Sequence, residues 1–204
     1  MKLIGMLDSP YVRRVAISMH LLDLPFEHQA LSVFSDFDAF AAINPVVKAP
    51  TLVTDGGGVL MDSGLILEHA ERLANAGQGL SPADPAGHAA AQRIIGLALA
   101  ACEKTVQIVY EHHLRPADKR HEPWLERIQG QLTAAYDLLE QEVRHASPWC
   151  FGPTPLQADI TSAVAFRFTQ EMLPEAINGQ ALPALTRLSD YAESTAAFAA
   201  YPFA

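Results

Sequence analysis

Cysteine is scarce in this sequence, since Cys102 and Cys150 are the only two among 204 residues. Two thiols far apart along the chain form neither a disulfide framework nor a thiolate metal site, so we expect a reducing, cytoplasmic location. The eight histidines include no His-x-x-x-His pair. Because zinc sites need such pairs or paired thiolates, we expect no metal site.

The chain also lacks an excess of basic residues. Fourteen Lys and Arg face 23 Asp and Glu, which gives a formal net charge of -9. An acidic surface argues against nonspecific binding to nucleic acids or anionic membranes, both of which are polyanions. The net negative charge does not exclude a small anionic ligand, because only the charges around its binding site must attract it. No apolar run is long enough to cross a bilayer, and Leu3–Leu7 is too short for a signal peptide.

Two common catalytic motifs are missing. The sequence contains no Gly-x-Ser-x-Gly nucleophile elbow and no Gly-x-Gly-x-x-Gly dinucleotide motif, which weakens hydrolase and dinucleotide-binding hypotheses. The three glycines Gly56–Gly58 are not followed by Lys-Ser/Thr, and β-type runs flank them on both sides. We therefore interpret them as a hairpin turn and not as a phosphate loop.

The first part of the chain predicts an α/β layer in the order β-α-β-α-β-β-α. Short apolar or β-branched runs predict strands, and apolar residues at helical spacing predict helices. The first two strands are expected to be parallel through a right-handed crossover, and the last two form a hairpin. The expected strands are Lys2–Leu7, Phe26–Leu31, Pro50–Thr54 and Val59–Met61. The expected inward faces are Val12, Val15, Ala16, Met19 and Leu22 on the first helix, and Leu65, Ile66, His69, Ala70 and Leu73 on the third.

The second part of the chain predicts an all-helical domain. Glycine and proline concentrate near residues 77–85, which we interpret as a linker between a domain at 1–76 and another at 86–204. Thr154 and Gln157 form a capping-box pattern with Pro155 at the first helical position. The expected helices are Ala86–Leu114, Pro123–His145, Leu156–Met172 and Leu182–Ala196. The second of these should bury Leu125, Ile128, Leu132, Ala135, Leu138 and Leu139.

Three junctions in the first domain carry the candidate chemistry. Ser9 is the expected N-cap of the first helix, where a hydroxyl and unpaired N–H groups can hold an anion. Ala49 and Pro50 begin an extended strand whose backbone can pair with a peptide. Asp62 and Ser63 open the third helix with a carboxylate and a hydroxyl. These junctions can lie along one edge of the layer, where they would bind a small peptide with a charged amine and an acidic or thiol end.

At these residues the chain resembles the glutathione S-transferase family. Ser9-Pro10-Tyr11-Val12-x-Arg14-Val15 is similar to the Ser-Pro-Phe/Tyr-x-x-Arg signature of its serine-type and tau-like classes. Omega-type members carry cysteine in place of Ser9, which argues against thiol–disulfide chemistry here. Lys48-Ala49-Pro50-Thr51-Leu52 resembles the family's Lys-Val-Pro-x-Leu, and Asp62-Ser63 resembles its Glu/Asp-Ser pair. Apart from this signature, Arg13 and Arg14 are expected to be solvated or paired with a neighbouring carboxylate.

The resemblance implies a thioredoxin-like first domain, a helical domain with a pocket for a hydrophobic co-substrate, and a homodimer. It implies that glutathione binds through Ser9, Lys48, Ala49, Pro50, Asp62 and Ser63. The family's cis-proline stands at Pro50, and the backbone before it pairs with the cysteinyl part of glutathione. Asp62 and Ser63 would bind the γ-glutamyl amine and carboxylate. Ser9 would be the catalytic residue that stabilises the glutathione thiolate for attack on a small electrophile, as in detoxification.

Three alternatives stay open. The same fold carries glutathione-dependent peroxidases, isomerases and dehalogenases, and some family members act as binding or regulatory modules without catalysis. The thiol could also be activated by Tyr11 or by backbone N–H groups at the same helix end instead of Ser9. The sequence does not identify the electrophile, because the pocket for it is built from variable helical residues.

Overall fold

The computed structural model describes residues 1–75, 77–177 and 179–204. The chain forms two compact units, one of Met1–Leu80 with Ser194–Ala204 and the other of Ser81–Glu193. Residues 194–204, which the sequence analysis placed with the helical domain, therefore pack with the first unit. Ala76, the expected end of the first domain, lies outside the described residues, and the linker at 77–85 stays a prediction.

The first unit is built on a four-stranded mixed sheet, as far as the described residues show. Its strands lie in the order β2-β1-β3-β4. β1 is parallel to β2 and antiparallel to β3, and β3 and β4 form an antiparallel hairpin. The elements are β1 Lys2–Ile4, α1 Pro10–Leu21, β2 Glu27–Gln29, α2 Phe37–Ala41, β3 Thr51–Val53, β4 Val59–Met61, α3 Ser63–Leu73 and α8 Ala196–Ala199. The predicted thioredoxin-like order β-α-β-α-β-β-α is confirmed.

Burial in this unit follows helical spacing, with one correction. The predicted inward face of α1 is buried throughout. On α3 the buried residues are Ser63, Ile66, Leu67 and Ala70, whereas Leu65 is 62% exposed and Leu73 is 47% exposed. The prediction that both leucines face inward was therefore wrong. The positions 63, 66, 67 and 70 form one i, i+3, i+4, i+7 stripe, and α3 turns that stripe toward α1.

The second unit is mostly helical, and helices are its only regular elements among the described residues. α4 packs against α5 and α6, and α7 packs against α5 and α6. Leu138 on α5 is 40% exposed, so its predicted burial was wrong, whereas the other five predicted residues of that face are buried. The predicted last helix ends earlier, at Glu193. The elements are α4 Pro85–His113, a 3₁₀ turn Ala117–Lys119, α5 Glu122–Val143, α6 Gln157–Met172 and α7 Pro183–Glu193.

The start of α6 differs from the predicted Thr154–Gln157 capping box. The helix begins at Gln157, one residue later than predicted, and Asp159 supplies the cap. The carboxylate of Asp159 is fully buried and accepts the backbone N–H groups of Leu156 at 2.9 Å and Cys150 at 2.8 Å. Burial raises the pKa of Asp159, and these backbone hydrogen bonds lower it by less. Leu156 has no side-chain acceptor, so only this half of a capping box forms.

Among the residues that the structure describes, none of the helices combines the length and the apolar character that a bilayer span requires.

The Asp159 cap predicts a stability difference between two variants. Asp159→Ala leaves two partly buried backbone N–H groups without their acceptor, so the free energy of unfolding should fall by about 2–4 kcal/mol. Thr154→Ala removes the exposed residue that the sequence favoured as the cap and should change stability by less than about 0.5 kcal/mol. Urea denaturation followed by circular dichroism measures both. Equal losses in the two variants would contradict the assignment of the cap to Asp159.

Candidate functional site

Ser9 is the N-cap of α1. Its backbone is extended, with φ -71° and ψ 120°, and Pro10 takes the first helical position. The N–H of Val12 donates to Ser9 Oγ at 3.4 Å, and the N–H of Arg13 donates to the Ser9 carbonyl at 3.0 Å. The hydroxyl is half-buried. The positive end of the helix dipole favours an anion at this position.

Asp8 places a carboxyl group directly before Ser9. Partial burial raises the pKa of Asp8, and a backbone hydrogen bond with Ser9 lowers it by less. Since the folded-state pKa is raised, the contribution of Asp8 to stability is complete below its ordinary pKa of about 4. That contribution declines as the pH rises through the raised value.

The loop before β3 is shaped by a buried polar chain. Asn44 Nδ2 donates to Thr51 Oγ1 at 2.8 Å, and Thr51 Oγ1 donates to the Lys48 carbonyl at 2.8 Å. Asn44 and Thr51 are at most 2% exposed, so these bonds form away from water and hold their geometry well. The peptide bond between Ala49 and Pro50 is cis. The loop thus presents the backbone of Ala49 next to the first residue of β3.

Asp62 and Ser63 begin α3 with an unusual backbone. Asp62 has φ 75° and ψ 122°, a conformation that side-chain-bearing residues seldom adopt and that is often found at functional sites. Its Oδ1 accepts the N–H of Gly64 at 2.9 Å. Its Oδ2 lies 3.9 Å from Lys48 Nζ, and both side chains are about half exposed. A carboxylate and an ammonium group thus stand side by side at the surface of the first unit.

Arg14 connects the starts of α1 and α3. Its Nη1 donates to Ser63 Oγ at 3.2 Å, and both side chains are buried. Arg13 is buried as well, at 1% exposure. Solvation, one of the two environments predicted for these arginines, was therefore wrong, and pairing with a neighbouring carboxylate stays a prediction. The Arg14 bond fixes the Ser63 hydroxyl as an acceptor and orients the start of α3 relative to α1.

Gly5 allows β1, α1 and the loop before β3 to approach one another. Its φ is +137°, and a Cβ at this position would lie 2.6 Å from Val12 Cγ2 and 3.2 Å from the Ala49 Cβ. Only glycine fits such a close approach at such a φ without displacement of its neighbours. The first turn of α1, which Ser9 caps, therefore lies close to the loop that carries Ala49.

The structure thus places several of the predicted site residues in contact with one another, either directly or through one intervening residue. Lys48 lies beside Asp62, Ser63 is tied to α1 through Arg14, and Ala49 approaches the first turn of α1. The sequence analysis missed the supporting roles of Asn44 and Gly5. For Asn44, the available signal was an asparagine followed by proline, four residues before Lys48. A glycine at the end of an apolar strand was the signal for the second.

Two further groups were candidates for chemistry. Burial, with the nearby Asp159 carboxyl, raises the pKa of the Cys150 thiol well above its ordinary range, so this thiol stays protonated and weakly nucleophilic. Within residues 1–75, 77–177 and 179–204, no cluster of three or more His, Cys, Asp or Glu side chains is placed to hold a metal ion.

The sheet order and the two helix starts place the first unit in the class of thioredoxin-like domains. Residues 3–78 match the family model described as "Glutathione S-transferase, N-terminal domain". The uncharacterized GST-like protein YibF of Escherichia coli (strain K12) is 31% identical over 140 residues, which cover 69% of this chain and 68% of that protein. The chain belongs to the glutathione S-transferase family.

Two solved structures resemble the whole chain. A glutathione S-transferase from Methylobacterium radiotolerans in complex with glutathione sulfonate is 28% identical, with a TM-score of 0.90, over 100% of this chain and 95% of that one. A glutathione transferase family member from Pseudomonas fluorescens Pf-5 with bound S-(propanoic acid)-glutathione is 25% identical. Its TM-score is 0.84, over 98% of both chains.

The close approach at Gly5 predicts a matched pair of variants. Gly5→Ala combines an unfavourable φ with overlap against Val12, so the free energy of unfolding should fall by about 2–5 kcal/mol. Gly57→Ala is the control, because Gly57 also has a positive φ of +80° but has no heavy atom within 4 Å of the added Cβ. It should cost about 1–2 kcal/mol. Urea denaturation measures the free energy of unfolding of both variants. Equal decreases in the two would argue against a packing constraint at Gly5.

Proposed function

We propose that this chain is a glutathione transferase that activates the glutathione thiol for attack on a small hydrophobic electrophile. One observation carries the proposal: the Arg14–Ser63 hydrogen bond joins the helix start capped by Ser9 to the helix start that carries Asp62. Membership in the family supports it, as do the relatives that contain glutathione derivatives.

Recognition of glutathione is assigned to the groups around α3 and the loop before β3. The Asp62 carboxylate would receive the γ-glutamyl ammonium group, and Ser63 would bind the adjacent carboxylate. Lys48, beside Asp62, adds a positive charge for the same end of the peptide. The backbone of Ala49, before the cis-proline Pro50, would pair with the cysteinyl part.

Activation of the thiol is assigned to Ser9. A free cysteine thiol has a pKa near 8.5, so a decrease of about two units needs roughly 2.7 kcal/mol. A hydroxyl that donates to a thiolate contributes about 1.5–3 kcal/mol, and a helix N-terminus adds about 0.3–1 kcal/mol. Ser9 together with the start of α1 is therefore sufficient on energetic grounds.

The reaction follows from a positioned thiolate. A sulfur lone pair forms the new bond to the electrophilic carbon, and a leaving group departs with its bonding electrons. With an unsaturated substrate, the electron pair instead moves onto the acceptor, which takes a proton from solvent. The helical unit would contribute the apolar surface for the electrophile, whose identity the proposal leaves open.

The proposal also includes a homodimer, as the family resemblance implies, and a cytoplasmic location, as the low cysteine content indicates. Neither cysteine forms a disulfide, which is consistent with a reducing compartment.

Asp62→Asn tests recognition of glutathione. Asparagine tolerates a positive φ and can still accept the Gly64 N–H, so the variant removes mainly the charge. A charge-assisted hydrogen bond exceeds a neutral one by about 1–2 kcal/mol, so glutathione affinity should fall about five- to thirtyfold. Titration calorimetry measures this effect, with the exposed Asp38→Asn as a control for loss of one negative charge. Unchanged affinity in Asp62→Asn would place the peptide elsewhere.

Ser9→Ala tests activation of the thiol. The variant should keep glutathione affinity within a few-fold, because the other contacts hold the peptide. The pKa of the bound thiol should rise, so thiolate absorbance in the ultraviolet should appear at higher pH than in the wild type. Turnover of a reactive aryl halide near neutral pH should fall by about ten- to a hundredfold.

Two outcomes would redirect this assignment. A wild-type thiol pKa with full activity in Ser9→Ala would leave the hydroxyl as a helix cap and transfer activation to Tyr11 or to backbone N–H groups. Tight glutathione binding without turnover of any electrophile, peroxide or isomerisable substrate would favour a binding module.

A further inference from the structure

Arg13 is a fully buried cation next to the proposed site, and the function above gives it no task. It is 1% exposed and among the largest fully buried side chains of the described residues. A buried guanidinium is costly unless its donors are bonded, so its partners show what the fold uses it for.

Two partners of the Arg13 side chain lie in the C-terminal segment, which we define as residues 194–204. Arg13 Nε donates to the carbonyl of Tyr201 at 2.8 Å. The guanidinium carbon lies 5.7 Å from the centre of the buried Phe198 ring, within the range of a cation–π contact. α1 packs against α8 of the same segment. The C-terminal segment is thus docked onto the first helix of the unit through this arginine.

An aromatic cluster joins the C-terminal segment to α1 and to Phe26, the residue before β2. The Tyr201 ring stacks on Phe26, with centroids 5.7 Å apart and planes 22° apart. It meets His20 edge-on at 5.8 Å. The Tyr201 N–H donates to the Phe198 carbonyl at 3.1 Å, which closes a turn between the two residues that contact Arg13. The Tyr201 carbonyl is therefore a fixed acceptor and not the end of a loose tail.

The same arginine is joined to Ser9 through the backbone. The Arg13 N–H donates to the Ser9 carbonyl at 3.0 Å, which is the first hydrogen bond of α1. The Ser9 side chain is held more weakly, because its bond from the Val12 N–H is 3.4 Å long. An anchor at Arg13 therefore limits fraying of the turn on which the Ser9 hydroxyl is mounted. A displacement of about 1 Å at a reacting group can cost about a hundredfold in rate.

We propose that Arg13 is a positioning residue for Ser9: by docking onto the Tyr201 carbonyl and the Phe198 ring, it uses the C-terminal segment to hold the first turn of α1. The inference rests on the proposed function, since it assigns Ser9 the role given there. Its first consequence, an ordered start of α1, is measurable without glutathione.

Two variants break the contact from opposite sides. Arg13→Met keeps a long side chain and removes the donor, whereas deletion of Tyr201–Ala204 removes the acceptor and leaves Arg13 in place. In both, amide hydrogen exchange at positions 12 and 13 should accelerate about tenfold or more relative to Ala16, deeper in the helix. Combining the two changes should add little to either, because they remove one shared interaction. Arg13→Lys should recover part of the protection.

The control is Ile17→Val on the same helix. Ile17 is fully buried, so the change lowers stability while the Arg13 side chain and the Tyr201 carbonyl both stay in the chain. It should leave the relative exchange at Val12 and Arg13 as in the wild type. With glutathione bound, the Arg13 variants should raise the thiol pKa by about half a unit or more. They should lower kcat near neutral pH about three- to tenfold, while KM for glutathione stays within about twofold. Ile17→Val should change neither quantity.

The outcomes separate this inference from the proposed function. Unchanged exchange at positions 12 and 13 in both variants would overturn the inference, whatever the chain does with glutathione. Faster exchange with an unchanged thiol pKa and kcat would overturn it too, because Ser9 would then not depend on the anchor. If the wild type forms no glutathione thiolate but both variants exchange faster, the proposed function fails and the coupling of the C-terminal segment to the start of α1 stands.

Discussion

The close approach at Gly5 is the constraint on which the first unit depends. The end of β1, the first turn of α1 and the loop before β3 meet at a backbone position with no room for a side chain. Because packed interiors do not yield by an ångström without cost, this contact sets how near Ala49 can come to the helix start that Ser9 caps. Backbone packing at Gly5 therefore sets the spacing between these parts of the candidate site, and the polar groups do not.

Hydrogen bonds between buried polar groups fix the orientation of the loop before β3 and of the two helix starts. The Asn44–Thr51–Lys48 chain shapes the loop, and the Arg14–Ser63 bond joins the two helix starts. Each group would carry a desolvation cost if its bond were lost, so each bond restricts the structure to one arrangement. The strained backbone of Asp62 is maintained by the same surroundings, with its carboxylate left half exposed beside Lys48. Rigid support beneath an exposed charge pair is what a peptide-binding site requires.

In the helical unit, hydrogen bonds from backbone N–H groups to carboxylates define two helix starts. Asp159 receives two backbone N–H groups at the start of α6, and Glu140 of α5 receives those of Ala184 and Leu185 at the start of α7. These carboxylates act on structure, whereas Asp62 keeps its charge at the surface. Asp62 also accepts a backbone N–H, that of Gly64, at the start of its own helix. Exposure of the carboxylate, and not its residue type or its role as a cap, is what distinguishes Asp62 from the fully buried Asp159.

The sequence by itself determined the order of the elements, the apolar face of α1 and the three junctions at Ser9, Pro50 and Asp62. These features depend on local rules, namely helical spacing, capping and the conformational limits of proline and glycine. The tertiary structure alone decided that Leu65, Leu73 and Leu138 face outward and that residues 194–204 pack with the first unit. The tertiary structure also determined the hydrogen-bond partners of Arg13 and Arg14. Arg14 finds its partner 49 residues away and Arg13 finds its partner 188 residues away, and no local pattern encodes contacts at such separations.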